Sequence, residues 1–184
     1  MLDHQGEPWT ADPVVSEPFG AKPYVMVGQA PSRRGDPLRP VVGYAERLAE
    51  LAGMTPEGIR LAFDFANCLD EWPGAHKHGD MFPMDAARVG ASKLMPRLLG
   101  RRVVLLGRGV ARAFGMPPMI EWGTWCRMLM GTWHAAVFPH PSGRNRFWND
   151  EAEARRMGLW LRDVVADAHR EFQDQIFDDR EAGI

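Results

Sequence analysis

The sequence predicts an α/β fold, a three-layer α/β/α sandwich around a central, mainly parallel sheet of four strands. Three observations carry this expectation. Short continuous apolar runs occur at Tyr24–Val27, Val103–Leu106 and Ala135–Phe138, the pattern of strands buried on both faces. Each run closes on a glycine or proline: Gly28, Gly107 and Pro139. Stretches with apolar residues at helical spacing lie between them, so strand and helix alternate along the chain. That order implies crossover connections with helices on both faces of the sheet.

Taken in order, residues 1–22 carry Pro8, Pro13, Pro18 and Gly20 and read as an irregular N-terminal arm. Tyr24–Val27 is the first strand, ended by Gly28. From Val41 to Leu51, Tyr44, Leu48 and Leu51 fall on one helical face, with Gly53 as a stop. Ile59–Ala66 reads as a second strand, followed by a loop holding Asn67, Pro73 and Gly74. Asp85–Leu99 is helical by its Ala87, Ala91, Leu94 and Leu98 stripe, and Pro96 predicts a kink or late break. Val103–Leu106 is the third strand, Gly107–Phe114 turns into a helix, and His134–Phe138 is the fourth strand. The last helix spans Asp150–His169, opened by a capping pair (Asp150 and Glu153) and burying Met157, Trp160, Leu161, Val164 and Ala168. Residues 23–170 thus form one domain, and 171–184 an acidic C-terminal tail.

Composition narrows the function classes. The 184 residues suit one domain, and 45% hydrophobic with 25% charged residues is the balance of a water-soluble protein with a proper core. No apolar stretch approaches the roughly 18–20 residues that span a bilayer, so no membrane partner is expected. The N-terminus, Met1-Leu2-Asp3-His4-Gln5-Gly6-Glu7, is too polar for a secretory signal. Two cysteines, Cys68 and Cys126, cannot frame a disulfide scaffold, a zinc site or an iron–sulfur cluster, and point to a reduced cytoplasmic compartment. The net charge is −2, but arginines gather at Arg33-Arg34, Arg39, Arg101-Arg102, Arg108, Arg112 and Arg144/Arg146, while acid concentrates beyond Glu171. A basic face of this kind is compatible with a nucleic-acid footprint.

The chemistry gathers at strand ends. His140-Pro141-Ser142-Gly143-Arg144-Asn145 directly follows the last buried strand, which delivers an imidazole to the carboxyl edge of the sheet, where ligands of α/β proteins collect. Beyond it come Arg146, Phe147 and Trp148; with Arg144 and Asn145 these are groups that hold phosphates and stack on, or wedge between, bases. Gly28-Gln29-Ala30-Pro31-Ser32 closes the first strand with a glycine that permits a tight turn. Two other patterns are weaker. Gly107-Arg108-Gly109 offers two glycines of a dinucleotide fingerprint, but Arg112 occupies the third position and the strand is not the first. His76, His78 and Asp80 could ligate a metal, yet they lie in a Lys-, Gly- and Pro-rich loop with no further Cys or His, so a solvated loop and no metal are expected.

In sequence order these blocks resemble the uracil-DNA glycosylase superfamily. Gly28-Gln29-Ala30-Pro31-Ser32 followed by Pro40-Val41-Val42-Gly43-Tyr44-Ala45 is similar to its first motif, closest to family four, where G-E-A-P-G leads into P-F-V-G-R-A-G. Ala66-Asn67-Cys68 sits where that family has a strand ending in asparagine. Arg102 through Gly115 looks like the family's V-L-L-G-R-x-A-A-x-A-L-L-G strand, turn and helix. His140-Pro141-Ser142 matches the H-P-S of the last motif, and its extension to Asn145 is similar to the H-P-S-P-R-N of the single-strand-selective branch. The four blocks span roughly residues 24–160.

The resemblance implies a glycosylase-like fold and a monomeric enzyme that flips a nucleotide out of DNA, single- or double-stranded, and hydrolyses the bond to uracil or a modified pyrimidine. It assigns Asn67 to the O4/N3 face of the base and His140 to the base O2, where charge grows as the bond breaks. It assigns Gln29 to the attacking water, and Gly28, Ala30, Val41 and Tyr44 to the walls of the base and sugar pocket. Ser142, Gly143, Arg144, Asn145 and Arg146 would hold DNA, and Arg144 to Trp148 would enter or flank the minor groove. The departures are as informative. Gln29 stands where family four has an acid, and Ala30 where other branches carry aspartate. Val41 replaces a base-stacking phenylalanine, with Tyr44 nearby as a substitute, which widens the pocket toward bulkier pyrimidines. The four cluster cysteines of family four are absent, so no cofactor is expected. A protein of the same fold that recognises damaged or single-stranded DNA without cleaving it is the alternative.

Overall fold

The computed structural model describes residues 22–31, 42–76, 79–128, 131–142 and 145–181. In chain order its elements are β1 (Tyr24–Gly28), α1 (Val42–Ala52), α2 (Pro56–Ala62), β2 (Asp64–Asn67), β3 (Ala75–His76), β4 (Gly79–Asp80), α3 (Met84–Leu94), β5 (Arg102–Leu106), α4 (Arg108–Ala113), β6 (Cys126–Met128), β7 (Trp133–Phe138) and α5 (Glu151–Glu181). The main sheet has the order β2-β1-β5-β7-β6. β2, β1, β5 and β7 run parallel, and β6 pairs antiparallel with β7 through Cys126↔Ala135 and Met128↔Trp133. The sheet therefore has one strand more than the four expected. Cys126-Arg127-Met128 alternates apolar and polar over only three residues, too few to signal a strand, and its pairing with β7 defines it. β3 and β4 form a separate two-stranded hairpin.

Successive side chains of a strand point to opposite faces, and the core divides accordingly. Val25, Val27, Val103, Leu105, Ala135 and Val137 pack with Ala87 and Ala91 of α3 and Val110 and Ala111 of α4. Tyr24, Met26, Val104, Leu106 and Phe138 pack with Leu48 of α1, Ile59 of α2, and Met157, Leu161 and Val165 of α5. Residues covered from both sides explain why these strands read as unbroken apolar runs.

The amino end of the sheet is tied by polar bonds. The Lys22 ammonium donates to the carbonyls of Arg60 (2.8 Å) and Phe63 (3.2 Å). The buried Arg101 guanidinium donates from Nε to the Lys22 carbonyl (2.9 Å) and pairs with the Asp64 carboxylate.

Three boundaries differ from the sequence reading. The first half of Ile59–Ala66 belongs to α2, not to a strand. Thr55 Oγ1 accepts from the Gly58 N–H (3.1 Å) as an N-cap, and Pro56 supplies a preset first-turn φ. The helix therefore begins upstream and the strand only at Asp64. α3 gives way at Met95 to a 3-10 turn, Met95–Leu98, because Pro96 has no N–H to continue the α ladder. α5 starts where expected, with Asp150 Oδ1 accepting from Ala152 (3.0 Å) and Glu153 (3.1 Å), but it continues to Glu181 instead of ending near His169. Residues 171–181 contain no Gly or Pro to stop the helix, and Glu171, Gln173, Gln175, Arg180 and Glu181 favour it. None of the described helices is long and apolar enough to cross a membrane.

Candidate functional site

The parallel strands end in step, with Gly28 opposite Asn67 and Leu106 opposite Phe138. Backbone bonds carry the pairing past them: Cys68 N–H to Gly28 O (3.1 Å), Leu69 N–H to Gln29 O (3.0 Å) and Gly107 N–H to Phe138 O (2.8 Å). At this carboxyl edge lies a cavity of about 400 Å³. Gln29 enters it from the end of β1, Phe82 from the loop before α3, and Gly107, Arg108 and Gly109 from the turn after β5. Trp122, His140 and Asn145 complete the polar and aromatic wall.

His140 leaves β7 between two prolines, and a set of local bonds fixes it. Its Nδ1 accepts from the Ser142 N–H (3.3 Å), so the neutral ring carries its proton on the buried Nε2. Its carbonyl accepts from Asn145 Nδ2 (3.0 Å) and from Trp148 Nε1 (2.9 Å). Beneath it, Gly107 has φ 96° and ψ 155°, a region open only to glycine, and a Cβ there would lie 3.3 Å from His140 Cβ. The turn at the end of β5 thus needs glycine for its backbone as well as for space.

Arg108 holds the next layer. Its guanidinium lies 4.2 Å from the centre of the Trp122 ring and donates to the carbonyls of Pro118 (2.7 Å) and Ile120 (3.0 Å). Phe82 covers Gly109 so closely that a Cβ there would meet its ring at 3.1 Å. Neither Phe82 nor Trp122 stands out in the sequence. Both sit in irregular segments, and the one available signal is Phe82-Pro83 immediately before a helix.

The other half of the edge is built differently. Asn67 Oδ1 is buried with no hydrogen-bond partner among the described residues. It lies 2.6 Å from where a Cβ on Gly28 would stand, so Gly28 gives the amide its room. Asn67 is not among the described residues that line the cavity. Two strands, β1 and β5, separate it from β7, about 14 Å at the usual strand spacing. By pleat parity Asn67 and Gly28 follow Phe65 and Met26, whose side chains pack on the α1/α5 side. His140 follows Phe138 of that same side by two residues. Gln29 joins the halves: it borders the cavity, and its Nε2 donates to the Met81 carbonyl (3.3 Å), leaving Oε1 for another partner.

Several expected contacts are placed elsewhere. Ala30, expected at the pocket wall, is buried in the core with Val25 and Val27. Asn145 is turned inward, donating to His140 and accepting from the Phe147 N–H (3.2 Å) at the start of the 3-10 turn Arg146–Asn149. Trp148 packs at 5.7 Å against Phe138, and Phe147 at 5.6 Å against Trp122. Both rings are partly buried against the core, since that packing is favoured over exposing two large aromatics. Arg146 is exposed, and Ser142 contributes its backbone to His140. Val41, Gly143, Arg144 and His78, the N-terminal arm through residue 21, and the side chain of Tyr44 lie outside the described residues.

Cys68, next to Asn67, has its thiol pushed up to about 12 by burial and is no nucleophile near neutrality. Among the described residues, no group of three His, Cys, Asp or Glu converges, and no carboxylate lines the cavity. No protein-family model matches the chain, and no curated protein matches it either.

Proposed function

We propose that the protein is a DNA glycosylase of the uracil-DNA glycosylase type, acting on uracil or a modified pyrimidine. The observation that carries this reading is convergence. The four sequence blocks that resemble the family end at one sheet edge: Gly28-Gln29 after β1, Asn67 at the end of β2, Gly107-Arg108-Gly109 after β5 and His140 after β7. Three of the four border a single cavity.

The chemistry follows from the donors and acceptors present. In the flipped nucleotide, the bond from C1′ to the base nitrogen breaks with its electron pair going to the base, and charge builds on O2. His140, with its Nδ1 occupied as an acceptor, offers Nε2–H to that oxygen. The Asn67 amide oxygen, buried and unpartnered, suits the N3–H of a pyrimidine. Phe82 supplies a ring against which a base can stack. Gln29 Oε1 can orient the water that attacks C1′, whose proton passes to solvent. An amide cannot take that proton, so the step relies on a dissociative, oxocarbenium-like transition state.

One observation favours the alternative, a recognition protein without cleavage: the described cavity wall holds no carboxylate, and Gln29 spends its donor on Met81. Single-turnover assays with protein in excess, on strands carrying uracil or one of several modified pyrimidines followed by hot alkali, separate the two. Strand scission at one of these bases supports the glycosylase. Binding to DNA with no base released from any of them assigns His140 to contact alone.

A further inference from the structure

We infer that Met119 is the apolar wedge that enters duplex DNA when a nucleotide is extruded into the cavity; this rests on the glycosylase reading. The resemblance located the wedge in the segment after His140, but Phe147 and Trp148 there are committed to the core. Met119 is available. It is the most exposed large hydrophobic residue among those described, at 89%. Single exposed hydrophobics are ordinary, so position and rigidity must make the case.

Both are favourable. Pro117, Pro118, Met119 and Ile120 form a tight turn closed by Ile120 N–H to Pro117 O (3.4 Å), with proline in the position that presets its φ. Arg108 Nη1 grips the carbonyls of Pro118 and Ile120, the residues on either side of Met119. That arginine is itself stacked on Trp122, and both line the cavity. Ile120 anchors the turn by packing on the core. Met119 is therefore held out from the rim on a clamped support, with little conformational freedom left for its backbone to lose on binding. A second exposed methionine, Met81 (45%), precedes Phe82, which lines the cavity. Methionine is among the residues that proteins insert between base steps, and its unbranched thioether fits an irregular gap.

The step requires no bond to form or break. The side chain fills the vacancy left in the stack, which opposes return of the flipped base. The distinguishing readout is the ratio of single-turnover excision on duplex to that on a single strand carrying the same base. Met119→Ala should lower this ratio by about tenfold or more, and Met119→Leu should restore most of it. An unchanged ratio in Met119→Ala, or a wild-type protein that acts on single strands only, overturns the wedge while leaving the glycosylase reading intact. If the wild-type protein releases no base from either substrate, the glycosylase reading fails and the wedge with it.

Discussion

The two halves of the carboxyl edge solve the same geometric problem in opposite ways. In each, an inner strand ends at a glycine crowded by a polar side chain from its neighbour: Gly28 by the Asn67 amide, Gly107 by His140. On the β5/β7 side the histidine is held by local bonds. Its Nδ1, its carbonyl and the asparagine and tryptophan that hold it are bonded within nine residues, His140–Trp148, and its Nε2 is left as the one ring donor aimed away from that support. On the β1/β2 side an amide oxygen is left buried without a partner. An unsatisfied buried acceptor costs about 1–3 kcal/mol. The first half is a finished support that fixes one donor; the second is an incomplete one whose missing partner a ligand would supply. Under the proposed glycosylase reading, rigidity on one side and deficit on the other divide the labour, with catalysis by His140 and selection by Asn67.

The sharpest way to break this division is His140→Ala. Single-turnover base release should fall by about 10²–10³-fold, as loss of one oxyanion donor does, with DNA affinity in a filter-binding assay nearly unchanged. Gly107→Ala comes next. Its backbone conformation is closed to alanine, so chemical denaturation should show a loss of about 1–3 kcal/mol, and base release should drop because the turn beneath His140 must move. A Gly107→Ala protein of unchanged stability would contradict the account of that turn.

Asn67→Ala should separate stability from selection. Removing an unsatisfied buried group leaves the melting temperature level or raises it, while discrimination between pyrimidines that differ at N3 and O4 falls by about tenfold or more. A clear drop in melting temperature would mean that the amide is bonded in the free protein after all. The smallest effect is chemical. Burial keeps the Cys68 thiol protonated until near pH 12, so at pH 8 only about one molecule in 10⁴ presents a thiolate. Iodoacetamide on the native protein should label Cys126, on the partly exposed β6, and spare Cys68; mass spectrometry of the peptides reads the outcome. The linked stability change has a definite sign. A raised thiol pKa stabilises the fold below the ordinary value of 9.0, and that contribution is lost as pH climbs toward 12.

Those parts of the molecule that were legible in the sequence are the ones buried on two faces. β1, β5 and β7 lie within two residues of their apolar runs, since residues covered on both sides leave no polar alternation to confuse the reading. The Ile59–Ala66 run misled because α2 and β2 abut with one residue, Phe63, between them, and a helix of seven residues leaves too few turns to show its period. Thr55-Pro56-Glu57 was the signal that marks its start. Gln29 and His140 could be found because strand ends point at the cavity. Phe82, Trp122 and the Arg108 clamp could not, because they meet only in three dimensions, from segments with no period of their own.

The strand order has a consequence for how the chain is made. β1 lies inside the sheet, yet both of its partners are synthesised later: Asp64–Asn67 first, then Arg102–Leu106, paired through Tyr24↔Arg102. At about 5–20 residues per second on a ribosome, roughly 4–16 s pass between the emergence of Tyr24 and that of Arg102. Throughout that interval Tyr-Val-Met-Val has one edge and much of both faces uncovered. Chaperone capture during translation should therefore concentrate on this segment and be relieved once β5 has cleared the exit tunnel.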